Sequence, residues 1–338
     1  MKIIAVIGDS HTWGQGVGAE HTLTDPYVCC GDLRPTPFHY PTYVNLLRNA
    51  VNLSTGSSAR MADECIRQET GHTERGMAVV TAEHPLTVTR RFDLARLFFR
   101  AEPEAAEVTV AMDGDTVDVI PLQSDHPGTD VGIELCHLLP KTDGEQHEVT
   151  VTVTKGSRAL LYRWEEYQGP YAVVNCGIGA RAVITYIERY FDRYVAPLRP
   201  YAVLFEGCTI NNWLQTSTPA AYADQLREIA DRIRALTPRQ LWHTVSPVWG
   251  NQINDWGVPY VDYVETMRGV ARDEHIPLAD CFTAMEAYLS SVPENVRFPI
   301  FFSDAWHPNG MGHYTYARLI LPHLQDLLAG EPTQQGCV

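Results

Sequence analysis

The second half of the chain carries the pattern that most restricts its fold. From Tyr171 onward, short apolar runs alternate with segments whose apolar residues recur at helical spacing. This alternation is typical of a parallel β-sheet, because parallel neighbours need a crossover connection that is usually a helix. Together with an apolar run near the N-terminus, it predicts five strands: Lys2–Ile7, Tyr171–Asn175, Tyr201–Phe205, Gln240–Val245 and Ile276–Ala279.

Helical patterns fit the connections between these strands. Thr218 and Pro219 predict the N-cap and first residue of one helix, which Pro238 ends. A last helix is predicted from about residue 309 to residue 328. A further helix is predicted between the second and third strands from the spacing of Ile184, Ile187, Tyr190, Phe191, Tyr194 and Val195. The expected architecture is a three-layer α/β domain.

The segment between residues 76 and 167 has a different period. Residues 148–154 alternate strictly between apolar and polar side chains, and residues 108–112 do so nearly. Turn pairs such as Asp113-Gly114 and Lys155-Gly156 separate these runs. The pattern predicts an antiparallel, sandwich-like β module of about seven strands. The predicted domains are therefore an α/β domain of residues 1–75 and 168–330, and an inserted β module of residues 76–167.

Composition and charge restrict the partners and cofactors. Lys and Arg number 26 against 41 Asp and Glu, so the net charge of −15 disfavours nucleic acid. No run approaches the roughly 18 apolar residues of a membrane span, and no signal-peptide pattern is present. The eight cysteines lack CxxC spacing and the thirteen histidines lack an HExxH motif. We therefore expect a cytoplasmic protein with no metal or other cofactor and no membrane partner.

Two separated motifs suggest nucleophilic catalysis. The first predicted strand ends in Gly8-Asp9-Ser10, and ligands of open parallel sheets bind outside the carboxyl ends of strands. Ser10 could instead be only a helix N-cap, so a nucleophile needs a base nearby. Asp304 and His307 lie three residues apart before the last helix, where the carboxylate can orient the imidazole. Either of these two alone could be a plain capping residue.

The ends of the second and third predicted strands can supply oxyanion donors. The run at residues 175–181 contains Gly177 and Gly179, whose lack of side chains lets backbone N–H groups approach a substrate. The run at residues 206–212 offers a side-chain amide at Asn211. Glycine and asparagine at strand ends are also common turn residues. Their position relative to Ser10 favours the catalytic interpretation.

With these residues in place, the sequence resembles the SGNH (GDSL-like) hydrolase family. Gly8-Asp9-Ser10 matches the block carrying the family's nucleophile, and Asp304-x-x-His307-Pro308-Asn309-x-x-Gly312 matches the terminal catalytic block. The resemblance covers about residues 1–60 and 171–328. It implies a flavodoxin-like five-stranded parallel sheet, no metal, and hydrolysis of an ester or thioester through an acyl-enzyme. It also implies Ser10 as nucleophile, His307 as base and Asp304 as the group orienting the base.

The sequence departs from the family pattern at three points. His11 replaces the usual leucine after the serine, and we expect it to leave the nucleophile undisturbed but to alter the mouth of the pocket. The resemblance places the oxyanion hole at Ser10, at a second-block position and at an asparagine of the third block. The second-block position is a glycine in the family but is Ala180 here, with Gly179 as its neighbour. The third block reads Gly207-Cys208-Thr209-Ile210-Asn211 here, instead of Gly-x-Asn. Either a longer loop lets Asn211 fill the role, which we favour, or Thr209 replaces it.

The leading hypothesis is a serine esterase that removes a small acyl group, acetyl above all, from a carbohydrate or glycosylated metabolite. Trp306 is the best placed of the tryptophans to bind such a substrate. Two alternatives stay open. One is an acyltransferase, lipase or thioesterase with the same triad, and the other is a glycan- or partner-binding protein with a vestigial site. The sequence leaves the oligomeric state open, a homo-oligomer included.

Overall fold

The structure is a computed structural model that describes residues 1–17, 36–74, 77–100, 106–122, 135–138, 144–215, 218–249 and 252–330. Its chain divides into two compact units. The first consists mainly of Arg48–Ala172. The second consists mainly of residues 4–17, residues 40–47 and the chain from Val173 onward. The domain boundaries at residues 76 and 167 stay a prediction.

The strands, numbered along the chain, are β1 (Lys2–Ile7), β2 (Ser58–Met61), β3 (Thr73–Glu74), β4 (Met77–Val80), β5 (Leu86–Arg91), β6 (Leu94–Phe99), β7 (Glu107–Met112), β8 (Asp115–Pro121), β9 (Leu135–Leu138), β10 (Gln146–Lys155), β11 (Ala159–Gln168), β12 (Tyr171–Asn175), β13 (Ala202–Phe205), β14 (Gln240–His243) and β15 (Leu278–Ala279).

The α-helices are α1 (Ser10–Trp13), α2 (Tyr43–Thr55), α3 (Asp63–Thr70), α4 (Val183–Tyr186), α5 (Thr209–Leu214), α6 (Pro219–Leu236), α7 (Tyr260–Asp273), α8 (Cys281–Ser291), α9 (Glu294–Phe301) and α10 (Gly310–Ala329). Helix α4 continues as π-helical turns over Ile187–Val195 and a 3₁₀ turn over Ala196–Leu198. No described helix is both long and apolar enough to cross a membrane.

A five-stranded parallel sheet forms the centre of the α/β fold. Its strand order is β12-β1-β13-β14-β15, so the first strand of the chain lies inside the sheet. Nearly every residue of these strands is buried, which explains why they read as continuous apolar runs rather than alternating ones. The predicted fold class and all five predicted strands are confirmed.

Local capping positions the two long helices of the second unit. The Thr218 hydroxyl accepts the Ala221 N–H at 3.1 Å, and Pro219 begins α6. The Asn309 side chain accepts two N–H groups at the start of α10, one of them from Met311 at 2.9 Å. These caps satisfy N–H groups that have no partner inside the helix. The cap at Asn309 also fixes the end of the preceding loop, and His307 lies in that loop.

The first unit is built from antiparallel strands. One sheet has the order β5-β10-β7-β8, and the other has the order β3-β4-β11-β6-β9 with β2 paired to β11. Along β10 the valines 149, 151 and 153 are buried while their neighbours are more exposed, which reproduces the predicted alternation. Residues of both sheets share one hydrophobic cluster, which includes Val88, Val110, Val151, Leu97, Phe99 and Trp164.

Candidate active site

The turn after β1 carries the predicted nucleophile. Ser10 is the first residue of α1 and is 3% exposed. Asp9 caps this helix, accepting the His11 N–H at 3.0 Å. A Cβ at Gly8 would collide with the side chains of Thr12 and Glu206, so only glycine fits there. This close packing holds the serine at the carboxyl end of a central strand.

The structure brings Ser10, His307 and Asp304 together in one hydrogen-bonded chain. His307 Nε2 lies 2.9 Å from Ser10 Oγ. His307 Nδ1 lies 2.8 Å from Asp304 Oδ2 and 3.0 Å from Oδ1. Because the carboxylate can only accept, Nδ1 carries the proton and Nε2 is free to accept the serine proton. This is the arrangement of a nucleophile, a general base and an orienting carboxylate.

Asp304 is ionised over the whole pH range in which a histidine could act as a base. Partial burial acts to raise its pKa, but the hydrogen bond and the charge of His307, together with backbone N–H groups, outweigh this effect. The net result lowers the pKa of Asp304 to about 2. The N–H groups come from Trp306 at 2.7 Å and from His307 at 2.8 Å. The same contacts that keep the carboxylate charged also fix its direction.

The loop that carries His307 is held from several sides. The Ser303 N–H donates to the His307 carbonyl at 2.9 Å, and Phe302 pairs with Pro308 in an antiparallel bridge. The Trp249 N–H donates to the Ala305 carbonyl at 3.0 Å. Gly16 has a φ of +93° and lies so close to this loop that a Cβ would collide with it. These contacts together hold the loop in place.

Asn211 lies beside the turn that carries Ser10. Its Nδ2 donates to Asp9 Oδ2 at 2.6 Å, and the residue is 6% exposed. Thr209 is turned elsewhere, because its hydroxyl bonds Tyr222 Oη at 3.0 Å and packs near Met267. Cys208 precedes α5 in the left-handed region with a φ of +50°, which sets this helix's start. This geometry favours Asn211 for the third block, and the assignment remains a prediction.

The loop after β12 approaches the same turn. The Ile178 N–H donates to the Gly8 carbonyl at 3.0 Å, and the next residue, Gly179, is buried. Ala180 has a φ of +55°, a left-handed conformation that costs a non-glycine residue about 1–2 kcal/mol. The alanine thus adopts a conformation for which glycine is usual. The oxyanion roles of Gly179 and Ala180 stay predictions.

Three supporting residues were not predicted from the sequence. Gln215 Nε2 donates to both the Ala180 carbonyl and Asn211 Oδ1, each at 3.2 Å, so it joins two predicted donors. Asn175 donates to the Thr12 carbonyl at 2.9 Å and accepts the Gly177 N–H at 2.9 Å. Glu206 accepts the Asp9 N–H at 2.7 Å. The only advance signals are that Asn175 ends one predicted strand and Glu206 directly follows another.

Trp306 and His11 differ in how they fit the expectations. The Trp306 ring is partly exposed and meets Trp213 edge-on at 5.8 Å, so its substrate-binding role stays a prediction. His11 does not line the mouth of a pocket, because it is only 1% exposed. Its ring points inward since both ring nitrogens have hydrogen-bonding partners inside the protein, Asp9 and the Trp306 carbonyl.

Asp9 and Glu206 form a buried carboxyl pair with opposite protonation. Burial, with the charge of Asp9 beside it, raises the pKa of Glu206 well above its ordinary value. Burial also acts to raise the pKa of Asp9, but hydrogen bonds and charge from His11, with a hydrogen bond from Glu206, lower it overall. At neutral pH Glu206 is therefore neutral and Asp9 is ionised.

Within the part of the chain that the structure describes, Asp9, His11 and Glu206 are the one group whose ligand atoms lie close enough for a metal ion, within 4.8 Å of one another. These atoms already bond within the group: Asp9 Oδ1 with His11 Nδ1, and Glu206 Oε2 with the Asp9 N–H. We assign these residues to a hydrogen-bond network.

The neutral Glu206 leads to a prediction about stability. Above about pH 4.3, where an unfolded glutamate ionises, unfolding releases the Glu206 proton. The unfolded state then binds fewer protons, so the free energy of unfolding falls as pH rises, by at most about 1.4 kcal/mol per unit. Glu206→Gln mimics the neutral acid and has no proton to release. We expect its stability gain over wild type to grow steadily from pH 5 to pH 8.

Urea unfolding at each pH measures this difference. The exposed Glu188 provides the matched control, because Glu188→Gln should show no growing gain. A Glu206→Gln difference that stays constant across the range would mean that Glu206 is ionised in the folded protein.

Comparison with known proteins gives a match in fold but none in sequence. No protein-family model and no curated protein match the sequence. A solved peptidoglycan O-acetylesterase is 16% identical and has a TM-score of 0.55, with 98% of this chain and 92% of that chain covered. An α/β hydrolase from the metagenome of Lake Arreo, Spain, is 14% identical, covering 96% of each chain, with a TM-score of 0.48.

An acetylxylan esterase from Geobacillus stearothermophilus is 21% identical and covers 46% of this chain and 72% of that chain, with a TM-score of 0.39. At such identities structural likeness establishes a fold. The match at a TM-score of 0.55 spans nearly the whole chain, and it agrees with the parallel sheet described above. The chain has the SGNH hydrolase fold, as the resemblance implied.

Proposed function

We propose that the protein is an SGNH-type serine esterase that hydrolyses acetyl esters. The observation that carries this proposal is the hydrogen-bonded chain from Asp304 through His307 to Ser10, in which each atom has the partner that acyl transfer requires. A vestigial binding site would have no need to keep Asp304 ionised, His307 oriented and Ser10 within 2.9 Å of the base.

The proposed reaction begins when Ser10 Oγ attacks the ester carbonyl carbon and His307 Nε2 takes its proton. Asp304 stabilises the resulting imidazolium through Nδ1–H. Negative charge on the carbonyl oxygen is met by the Ser10 N–H, the Asn211 amide and backbone N–H groups at Gly179 and Ala180. The alcohol leaves with the proton from His307. Water, activated by the same imidazole, then attacks the acyl-enzyme and releases acetate and Ser10.

The alcohol part of the proposed substrate is a carbohydrate. The solved structure of similar fold is named a peptidoglycan O-acetylesterase. A cleft of about 350 Å³ also lies next to the base loop. Its walls combine aromatic rings with polar groups, as sugar sites do: Trp249, Phe302, Gln252, Glu286 and Arg297. Trp249 lines this cleft, and its backbone N–H donates to the Ala305 carbonyl in the loop that carries His307.

A substrate panel tests the proposal. Among p-nitrophenyl esters from acetyl to long-chain, we expect acetyl to give the highest kcat/KM, and Ser10→Ala to abolish turnover of all of them. Acetylated xylooligosaccharides should be hydrolysed as well. Preference for long chains would indicate a lipase-like enzyme instead.

One variant separates the sugar-binding role of the cleft from catalysis. Trp249→Leu keeps apolar packing but removes the ring, so we expect KM for the acetylated oligosaccharide to rise about tenfold, the equivalent of roughly 1.4 kcal/mol. Turnover of p-nitrophenyl acetate should not change. Trp256, 53% exposed and outside the cleft, is the control, since Trp256→Leu should affect neither substrate. Equal losses on both substrates would count against a sugar site here.

A further inference from the structure

Both ring nitrogens of His11 face hydrogen-bond acceptors. Nδ1 lies 3.0 Å from Asp9 Oδ1, and Nε2 lies 2.9 Å from the backbone carbonyl oxygen of Trp306. A carbonyl oxygen can only accept, so Nε2 must carry a proton. A neutral imidazole has a single N–H, which this bond already uses. The bond to Asp9 therefore needs a second proton, located either on Nδ1 or on the carboxyl group.

The surroundings of Asp9 place that proton on His11. Asp9 Oδ1 also accepts the His11 backbone N–H at 3.0 Å, and Oδ2 accepts from Asn211 at 2.6 Å. A carboxylate that accepts several N–H bonds is favoured in its charged form. Of the two neighbouring carboxyl groups, the neutral one is Glu206, because its pKa is raised well above the ordinary value. Asp9 is thus an anion, and the imidazole beside it is a cation.

We infer that His11 is a positioning residue, a buried imidazolium that joins the nucleophile turn to the loop carrying the base. It sits one residue after Ser10, and its Nε2–H holds the carbonyl of the residue just before His307. This inference rests on the proposed serine esterase function. The family leucine at this place could hold neither Asp9 nor Trp306.

The other titratable groups packed around His11 are neutral. Burial lowers the pKa of His243 and of His313 to about 3, and the Tyr43 N–H donates to His313 Nδ1 at 3.3 Å, which requires that nitrogen to be unprotonated. Burial also raises the pKa of Tyr43 and of Tyr316 above the ordinary range. The ionised partner of His11 is thus Asp9 beside it.

The His11 charge also acts on the base. The ring centroids of His11 and His307 are 5.6 Å apart. A positive charge at that distance opposes a second positive charge on His307, the charge that the base gains when it takes up a proton. His11 therefore has two separable effects: its hydrogen bond positions the Trp306 carbonyl, and its charge extends activity toward acid.

Two variants separate these effects. His11→Leu removes both, so we expect kcat for p-nitrophenyl acetate to fall about 10²-fold, as misplaced catalytic groups cause, with KM within about twofold. The acidic limb of its kcat/KM profile should move up by about one pH unit. His11→Gln can still donate to Trp306 but is uncharged. It should recover most of kcat while keeping the shifted limb. The exposed His323 gives the control, His323→Leu, which should match wild type.

A direct measurement does not depend on activity. In wild type with ¹⁵N-labelled histidine at pH 7, the His11 ring should show two protonated nitrogens, identified by their loss in His11→Gln. A single protonated nitrogen overturns the inference, and so does a His11→Leu enzyme with wild-type kcat and pH profile. If Ser10→Ala were fully active, the proposed function would fail instead, whereas the two protonated nitrogens would still establish the buried cation.

Discussion

Ser10→Ala and His307→Ala should each lower the kcat for acetyl ester hydrolysis by about 10⁶-fold. The nucleophile and its base act as one unit, so the loss of either removes nearly the whole contribution of both. Asp304→Ala should cost less, about 10⁴-fold, because the base remains but loses its orientation and the stabilisation of its charged form. Steady-state kinetics with p-nitrophenyl acetate measures all three.

Circular dichroism checks that these variants fold, and the exposed residues Ser58 and His323 provide controls as Ser58→Ala and His323→Ala. Both controls should keep wild-type kcat. A well-folded Ser10→Ala or His307→Ala enzyme with more than about a tenth of wild-type kcat would exclude this triad, since a triad member contributes far more than tenfold. A fluorophosphonate probe reacts with the activated serine hydroxyl. It should therefore label Asp304→Ala more slowly than wild type, and Ser10→Ala and His307→Ala least of all.

Asn211→Ala should lower kcat by about 10²- to 10³-fold and leave KM nearly unchanged. This is the behaviour of an oxyanion donor, which bonds the charged transition state more strongly than the neutral carbonyl of the substrate. Thr209→Ala should leave kcat within a few fold. Its hydroxyl bonds Tyr222, so it should cost about 1 kcal/mol of stability instead.

Asn211→Ala and Thr209→Ala form a matched pair, because both residues lie in α5. The Asn211 side chain faces Asp9, whereas the Thr209 side chain faces α6. Kinetics and urea unfolding of both proteins give the comparison. If Thr209→Ala lost the activity and Asn211→Ala kept it, Thr209 would hold the asparagine's place in the third block.

Features that depend on near neighbours could be predicted from the sequence. The apolar runs predicted all five strands of the parallel sheet, because such strands are buried on both faces. Thr218 and Pro219 predicted where α6 begins, since capping involves only the next three residues. Asp304 and His307 are three positions apart, so their contact needs only a local turn. The meeting of Ser10 with this pair, 297 positions away along the chain, was expected only from the resemblance to the SGNH hydrolase family.

Features that depend on distant neighbours could not be predicted. Gly207-Cys208-Thr209-Ile210-Asn211 allowed two alignments, and the left-handed Cys208 with the start of α5 decides which side chain faces Asp9. Nothing in the sequence indicated that Glu206 is neutral. That follows from its burial and from the Asp9 charge, which lies 197 positions away along the chain.

His11 shows most clearly what each level determines. The sequence by itself determined that an imidazole follows the nucleophile, and the family pattern suggested a place at the mouth of the pocket. Only the tertiary structure decided its environment, by bringing the Trp306 carbonyl, 295 positions away, to one ring nitrogen while Asp9 meets the other. A side chain's protonation depends on the acceptors and charges packed around it, and these are set by the fold rather than by neighbours in sequence.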